Sequence, residues 1–350
     1  MNNIEINGRN IGDGAPVYIV AEMSANHNQD FAQAVQIIQA ARESGADAIK
    51  IQTYTPDTLT IDCDNEYFRI GPGTIWEGRK LYDLYREAYT PWDWQPKLKQ
   101  IAEDLGLDFF STPFDDTSVD FLESLDVPAY KVASFEVVDL ALIERIARTG
   151  KPIIISTGMA TIGEIDEALR TVRATSLSQV ALLKCTSAYP SPPEEMHLRT
   201  IPHLTEAFSV PVGISDHTLG IAVPVAAVAV GACIVEKHFA LSRDVRGPDS
   251  AFSLEPLEFK SMVLAIRTAQ AALGTINYEV GRQEEKSRVF RRSLFVVSDM
   301  RPGEPFTTEN LRSIRPGYGL SPRHLHEILG KRAACELPRG TPLAWRHVVG

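Results

Sequence analysis

Apolar residues along this chain fall into short continuous runs, separated by longer stretches in which they recur every three to four positions. Eight runs, at 17–22, 47–52, 107–112, 129–134, 152–157, 180–186, 211–216 and 232–238, predict strands. Continuous runs, rather than alternating ones, are the pattern of parallel strands covered on both faces. Between them lie helical patterns such as Phe31 to Ala41, where Phe31, Val35 and Ile38 recur at i, i+4 and i+7. Strand and helix alternating eight times predict a (β/α)8 TIM barrel. Ahead of the first run, Ile4 to Ile11 places Asn7-Gly8 between two short alternating segments. Asn-Gly in that setting predicts a β-hairpin, and a hairpin here would close the amino-terminal end of the barrel.

Two stretches break the rhythm. Residues 53–90 are far longer than an ordinary strand-to-helix connection, which marks them as a lid or binding loop. They carry Tyr54, Phe68, Trp76, Tyr82, Tyr85 and Tyr89. The spacing of Tyr82, Tyr85 and Tyr89 reads as the core face of a helix, whereas Tyr54 and Trp76 sit among turn residues and read as substrate-facing. After the last helix, near residue 272, a polar segment from Gly281 to Arg288 leads into a β-rich tail that begins at Arg292. The expected division is a barrel over 1–275, a linker over 276–290 and a small β-rich domain over 291–350.

Composition narrows the class. With 350 residues the chain exceeds the roughly 250 of a typical barrel, consistent with an appended domain. Its 35 basic and 45 acidic residues give a net charge of −10. That balance argues against nucleic-acid or acidic-membrane partners, and any anionic substrate must be held by local lysines and amides against the overall field. Cys63, Cys185, Cys233 and Cys335 are scattered without a pairing motif, which reads as reduced thiols and a cytoplasmic setting. The N-terminus carries no leader pattern, and no stretch reaches the roughly 18 uninterrupted apolar residues of a membrane span.

Several predicted strands end in groups suited to binding an anion or a metal. They contribute Lys50 and Gln52; Lys131, Ser134 and Glu136; Ser156 and Thr157; Ser215, Asp216 and His217; and Glu236, Lys237 and His238. In a parallel barrel the carboxyl ends of the strands share one face, so these side chains converge on one pocket. Three lysines inside strand runs, Lys50, Lys131 and Lys184, point the same way, because buried lysines are rare unless paired. His217 and His238, at the ends of consecutive strands and each preceded by an acidic residue, suit imidazole metal ligands with carboxylate support.

Six ordered motifs carry a resemblance to a known family. Ala21-Glu22-Met-Ser-Ala-Asn26-His27-Asn28, Ser111-Thr-Pro-Phe-Asp115, Ser156-Thr-Gly-Met159, Cys185-Thr-Ser-Ala-Tyr189-Pro190, Ser215-Asp-His-Thr218 and Glu236-Lys-His-Phe239 resemble the sialic acid synthases. The tail from about 290 resembles the antifreeze-like (SAF) domain of those enzymes. Within the family, the segments from Lys50 to Thr60, Gly73 to Tyr85 and Ala88 to Pro96 are most similar to the pseudaminic acid synthases. The resemblance implies condensation of phosphoenolpyruvate with 2,4-diacetamido-2,4,6-trideoxy-altrose, releasing phosphate.

By that resemblance Lys50, Lys131, Ser134, Ser156, Thr157, Lys184 and Ser215 cradle phosphoenolpyruvate, whose two anionic groups call for charge-assisted donors. His217 and His238 match ligands of a divalent metal, manganese in the family, with cobalt, magnesium or zinc also compatible with the donors. Glu136 is the acid/base candidate, and Glu22 and Asp249 hold sugar hydroxyl or amide groups, although the three duties are interchangeable on sequence grounds. Tyr54, Trp76 and Tyr189 face the sugar. The family's tail crosses to a partner subunit, which implies a domain-swapped homodimer with Arg315 reaching the neighbouring pocket. A sialic or legionaminic acid synthase would share every motif except the Trp-rich loop. Two other classes fit the barrel: an aldolase using a Schiff-base lysine, with Lys131 or Lys184 as nucleophile, and a non-catalytic sugar-binding barrel.

Overall fold

The computed structural model describes residues 3–350. Strands β1 (Ile4–Ile6) and β2 (Arg9–Ile11) pair antiparallel through a turn in which Asn7 and Gly8 both adopt positive φ, 48° and 74°. Two consecutive left-handed residues make the tight hairpin turn that matches strand twist, which is why Asn-Gly stands there. Eight parallel strands follow: β3 (Tyr18–Glu22), β4 (Ala48–Thr53), β5 (Asp108–Pro113), β6 (Tyr130–Val132), β7 (Ile153–Ser156), β8 (Val180–Cys185), β9 (Val212–Asp216) and β10 (Ile234–His238). They hydrogen-bond in sequence order, and β10 closes onto β3. The expected (β/α)8 barrel is therefore present, with strand boundaries within a residue or two of those read from the runs. The fourth strand ends two residues early, at Val132, because the chain turns into a short 3-10 helix at Ser134–Glu136.

Two apolar clusters form in the barrel unit. One lies between strands and helices and includes Ile19, Ile49, Phe109, Ile155, Leu182 and Ile214. The other fills the barrel's interior: Tyr18, Val20, Phe110, Ile154, Leu183 and Ile234 pack together with Ile4, Ile6 and Ile11 of the hairpin. The hairpin thus plugs the amino-terminal mouth with apolar side chains. Polar contacts hold it in place, since Asn7 donates to Asp108 at 2.8 Å and Arg9 pairs with Asp47 and Asp108, each at 3.3 Å. Interior space is tight. A Cβ on Gly213 would stand 2.4 Å from the Ile234 carbonyl and 2.8 Å from Leu183, so only glycine fits in β9 at that layer.

The chain divides into two compact units, the first ending at Gly274 and the second beginning at Thr275. In the second unit the segment expected as a bare linker contains a short helix, Arg282–Ser287. Beyond it, β11 (Ser293–Val296) pairs antiparallel with β12 (Leu311–Ile314), and β13 (Arg332–Ala333) with β14 (Val348–Val349). Leu294, Val296, Met300, Phe306, Leu311 and Ile328 give this unit a core of its own. Among the described residues no helix is long and apolar enough to cross a membrane.

Ile6 is fully buried in the plug. Replacing it by Ala should lower stability by about 2–5 kcal/mol, the range for truncating a buried aliphatic side chain. An unchanged denaturant midpoint for Ile6→Ala would show that the hairpin is dispensable to the barrel.

Candidate active site

Strand register decides which side chains meet. Val20 pairs with Ala48 and Glu22 with Lys50; Lys50 pairs with Phe110, and Lys131 with Ile154. Cys185 pairs with Ser215, and Ser215 with Glu236. Because side chains alternate between faces, the residues two positions beyond the apolar plug also point inward. These are Glu22 above Val20, Lys50 above Ala48, Thr112 above Phe110, Ser156 above Ile154, Cys185 above Leu183 and Glu236 above Ile234. The interior is therefore apolar at its amino end and charged at its carboxyl end.

Lys50 and Lys131 are almost fully buried. Lys50 Nζ lies 2.8 Å from Glu22 and 3.7 Å from Glu236, and it donates to Thr112 at 3.3 Å. Burial opposes its charge, but the two carboxylates hold its pKa above the usual lysine value. Of those carboxylates Glu236 is the firmly ionised one. Burial raises it, yet Lys131, Lys50 and a 3.0 Å hydrogen bond from Ser215 bring it below the usual range. Burial dominates at Glu22 and pushes it up. Lys131 donates to Ser156 Oγ at 2.6 Å and to the Val132 carbonyl at 3.0 Å; with no carboxylate in contact, desolvation lowers its pKa. Beside it, Ser134 Oγ accepts from the Gly158 amide at 3.1 Å, and a Cβ on Gly158 would collide with the hydroxyls of Ser134 and Ser187. Hydroxyls, an amide and a cation thus converge in a space kept open by a glycine.

His217 and His238 stand side by side with ring centroids 5.3 Å apart. His217 Nδ1 donates to the Thr186 carbonyl at 3.0 Å, which fixes the ring and leaves Nε2 as the free lone pair. His238 is buried, and its Nδ1 has no hydrogen-bond partner. Burial, then the neighbouring His217 and the lysines, hold it neutral by lowering its pKa far below the usual value. Burial pushes His217 down, but Cys185 and the Thr186 carbonyl more than offset it and raise its pKa. Two imidazoles on adjacent strands, one of them neutral with an orphaned buried nitrogen, fit a divalent cation with open coordination positions. No group of three or more His, Cys, Asp or Glu side chains gathers at ligand spacing among the described residues, so such a cation would take its other ligands from substrate and water. The carboxylate support expected from the preceding residues is not there. Asp216 alternates to the outer face and pairs with buried Lys237 at 2.5 Å, and Glu236 serves Lys50 and Ser215. Cys185, which sequence reasoning passed over, takes that place: its Sγ lies 3.8 Å from His217 Nδ1. Burial pushes the thiol up, but His217 more than offsets it, bringing it to about 7.

The acids divide by environment. Asp249 accepts from Ser24 Oγ at 2.5 Å, and Gln52 bridges Ser24 Oγ at 2.9 Å to Glu22 at 3.1 Å. Ser24 and Gln52 therefore belong to the site, although only Gln52, as an inward strand-end residue, had a signal in the sequence. Burial raises Asp249. Glu136 sits at the end of the 3-10 helix with Oε2 buried and unpartnered. Burial lifts its carboxyl to about 7 against the lowering effect of Lys131.

The remaining expected residues separate. Tyr189 lies over His217 at 4.4 Å between centroids and touches Phe252 at 5.1 Å and Trp76 at 5.5 Å, forming an aromatic wall beside the histidines. Tyr54 is buried edge-on between Tyr85 and Phe114, close enough to Asp249 for that carboxylate, after burial, to raise its pKa. On the helix Leu81–Ala88 the buried residue is Leu84; Tyr82 instead donates its hydroxyl to Asp57, and Tyr89 caps the helix end, which corrects the reading of the three tyrosines as one core face. Lys184 is a correction as well. It pairs with Ile214, which belongs to the outer cluster, and its ammonium donates to the Cys185 carbonyl at 2.7 Å and to Thr186 at 3.1 Å, so it leaves the interior by strand parity. Thr157 is one position past inward Ser156, and its hydroxyl donates to the Leu183 carbonyl. Arg315 lies in the second unit, exposed, just after β12, and forms no ion pair among the described residues. A separate depression of about 440 Å³ lined by Arg148, Gly150, Thr175 and Ser176 lies on segments that precede β7 and β8, at the opposite end of the strands from these groups.

Comparison with known proteins bears on this arrangement. Residues 37–278 match the NeuB family and residues 291–349 the SAF domain. The chain is 46% identical over 330 residues to a pseudaminic acid synthase of Helicobacter pylori, covering 94% of this chain and 97% of that one. It is 44% identical over 334 residues to a protein of the same name from Campylobacter jejuni, covering 95% and 97%. Identity to an N,N'-diacetyllegionaminic acid synthase of Legionella pneumophila is 37% over 353 residues, covering 99% of each. Among solved structures, N-acetylneuraminic acid synthetase of Leptospira borgpetersenii in complex with citrate superposes with a TM-score of 0.73 at 30% identity, covering 82% of this chain and 95% of that one.

Glu136 provides a check on the electrostatics. Its side-chain carboxyl, followed by NMR in protein labelled with carbon-13 at glutamate, should titrate near pH 7. Because Lys131 lowers that value, Lys131→Met should move the midpoint upward; a midpoint near that of an ordinary exposed glutamate would refute the buried setting.

Proposed function

The chain belongs to the NeuB family, and from that premise we propose that it is a pseudaminic acid synthase. It joins phosphoenolpyruvate to 2,4-diacetamido-2,4,6-trideoxy-β-L-altropyranose, with water, to give pseudaminic acid and phosphate. The observation that carries this reading is 44–46% identity to three synthases of that name over nearly the whole chain. The pocket supports it chemically: Lys131, Lys50, Ser134, Ser156, Ser215 and the Gly158 amide supply charge and donors for a phosphate and a carboxylate.

Carbon C3 of phosphoenolpyruvate forms the new bond to the sugar's aldehyde carbon. Water then adds to C2, and the C2–O bond breaks to release phosphate. A divalent cation held by His217 and His238, manganese by family analogy, would supply Lewis acidity toward the sugar's carbonyl oxygen. Glu136, with a carboxyl near neutrality, is suited both to give a proton to the developing alkoxide and to take one from the added water. Glu22 and Asp249, tied together through Gln52 and Ser24, hold polar groups of the sugar, and Tyr189 and Trp76 lie along its apolar parts. Four free cysteines agree with a reducing, cytoplasmic setting.

The second unit completes the reading. Its own core and the exposed Arg315, which forms no ion pair among the described residues, support a homodimer in which the tail of one copy serves the pocket of the other, with Arg315 bonding the sugar's acetyl group.

Phosphate release with a panel of acetamido hexoses tests the assignment: turnover should be fastest with the trideoxy altrose, stop with EDTA and return with Mn²⁺ or Co²⁺. Faster turnover with N-acetylmannosamine would move the chain to sialic acid synthesis, and full activity after complete demetallation would remove the metal role. The dimer has its own check. Arg315→Ala chains and His238→Ala chains, each inactive alone, should recover activity on subunit exchange, because a mixed dimer keeps one pocket with both residues intact. No recovery would mean that each tail serves its own barrel.

A further inference from the structure

Within the long connection after β4, residues 69–80 fold back on themselves. Arg69 and Lys80 form an antiparallel bridge, the Ile70 amide donates to Arg79 and the Gly78 amide donates back to Ile70, each at 2.9 Å. The backbone of the tip is tied within the strap, with Glu77 donating to Thr74 and Arg79 to Trp76. Its two turns use Gly73 and Gly78 at positive φ. The legs are held by ion pairs of Arg69 with Asp64, Arg79 with Glu87 and Lys80 with Asp62, in each of which at least one partner is substantially exposed. Such pairs contribute little.

From residue 71 to 78 every side chain is exposed except Trp76. Its indole N–H donates to the Pro248 carbonyl at 2.9 Å, the one hydrogen bond among the described residues that ties residues 71–78 to the barrel unit beyond residues 69–80. Its ring meets Tyr189 at 5.5 Å and Phe252 at 6.4 Å between centroids. Pro248 immediately precedes Asp249, and Phe252 packs edge-on against His238 at 4.9 Å. One side chain therefore joins an otherwise loosely held strap to the carboxylate and the imidazole of the pocket.

We propose that residues 69–80 form a flap latched through Trp76, and that sugar binding closes the latch, making Trp76 a specificity-determining residue of the condensation. The inference rests on the proposed sugar-condensing function and extends it. A sugar carrying methyl groups on C5 and on two acetamides adds apolar surface beside the indole, Tyr189 and Phe252. Occupancy then strengthens the contacts that hold the flap, whereas a hydroxylated side chain in the same place would leave polar groups against the wall unpaired. Closure acts on the sugar and leaves the phosphoenolpyruvate cradle, built from β4, β6, β7 and β9, unchanged.

Two measurements on the full-length enzyme test this. Hydrogen exchange of the amides from 70 to 79 should slow when the trideoxy sugar is added to the wild-type protein. That protection should be lost in Trp76→Phe, which keeps an aromatic ring but removes the N–H donor together with part of the indole's packing surface. In steady state, Trp76→Phe should raise the KM for the sugar about fivefold to tenfold, and Trp76→Ala more, with the KM for phosphoenolpyruvate unchanged; the preference for the trideoxy sugar over N-acetylmannosamine should narrow in the same order. Wild-type protein that turns over the sugar without slowing exchange in the flap, or Trp76→Ala with unaltered sugar KM and selectivity, would overturn the latch. Wild-type protein that condenses a different hexose would overturn the substrate assignment instead, and the flap's exchange would then be read with that hexose.

Discussion

Two lysines, Lys50 and Lys131, lie inside the barrel with almost no access to water, and the architecture around them follows from keeping them there. A buried ammonium is tolerated only if opposite charge and hydrogen-bond acceptors reach it, and removing one partner of a buried pair typically costs about 3–5 kcal/mol. The acceptors come from neighbouring strands: Glu22 of β3 and Glu236 of β10 for Lys50, Ser156 of β7 for Lys131. Strand pairing must therefore hold register around the barrel, since a slip of one residue in any strand would turn its polar group outward and leave a charge unpaired. The apolar plug below enforces that register. Ile4, Ile6 and Ile11 of the hairpin bury against inward residues one layer beneath the ions, so every strand is read at two levels, apolar then polar.

The amount of this that is legible in the sequence depends on how local the cause is. Strands, hairpin and strand-end polar groups each follow from a few consecutive residues, and they stand where the pattern puts them. Face assignment is different, because it needs the parity of each strand relative to its neighbours. Lys184 and Asp216 read as pocket residues when every polar group at a strand's end is counted, and both point away from it once Leu183 and Ser215 are known to face inward. The parity was present in principle: Ile234, Glu236 and His238 alternate with Val235 and Lys237, and Lys237 on the outer face is compensated by Asp216 one strand away. What hid it is that both faces of these strands are buried, so the runs are continuous and hydrophobicity does not mark the inner side.

Packing between distant segments was less legible still. Tyr54 looks available among turn residues, yet Tyr85 and Phe114 enclose it. Cys185 looks like a strand residue with no chemistry of its own, yet its neighbour across the ladder carries it next to His217. Trp76 shows the opposite outcome: an aromatic in a long connection faces the pocket because its indole finds the carbonyl of Pro248, 172 residues later in the chain. None of these contacts has a local signature, since each depends on which loops share the carboxyl-terminal rim.

The charge inside the pocket also explains how a protein of net charge −10 takes up an anion. Of the two carboxylates beside Lys50, Glu236 is held ionised, while burial favours the neutral form of Glu22. Two cations are thus set against one firm negative charge. Burial lowers the pKa of Lys131, and its immediate acceptors, a hydroxyl and a backbone carbonyl, carry no full charge to offset that. An anion arriving next to Lys131 supplies the missing negative charge and restores the lysine's preference for its proton. Binding and protonation are therefore linked at one side chain, and the attraction is concentrated where the ligand must sit, walled off by low-dielectric packing from the acidic surface that would repel it.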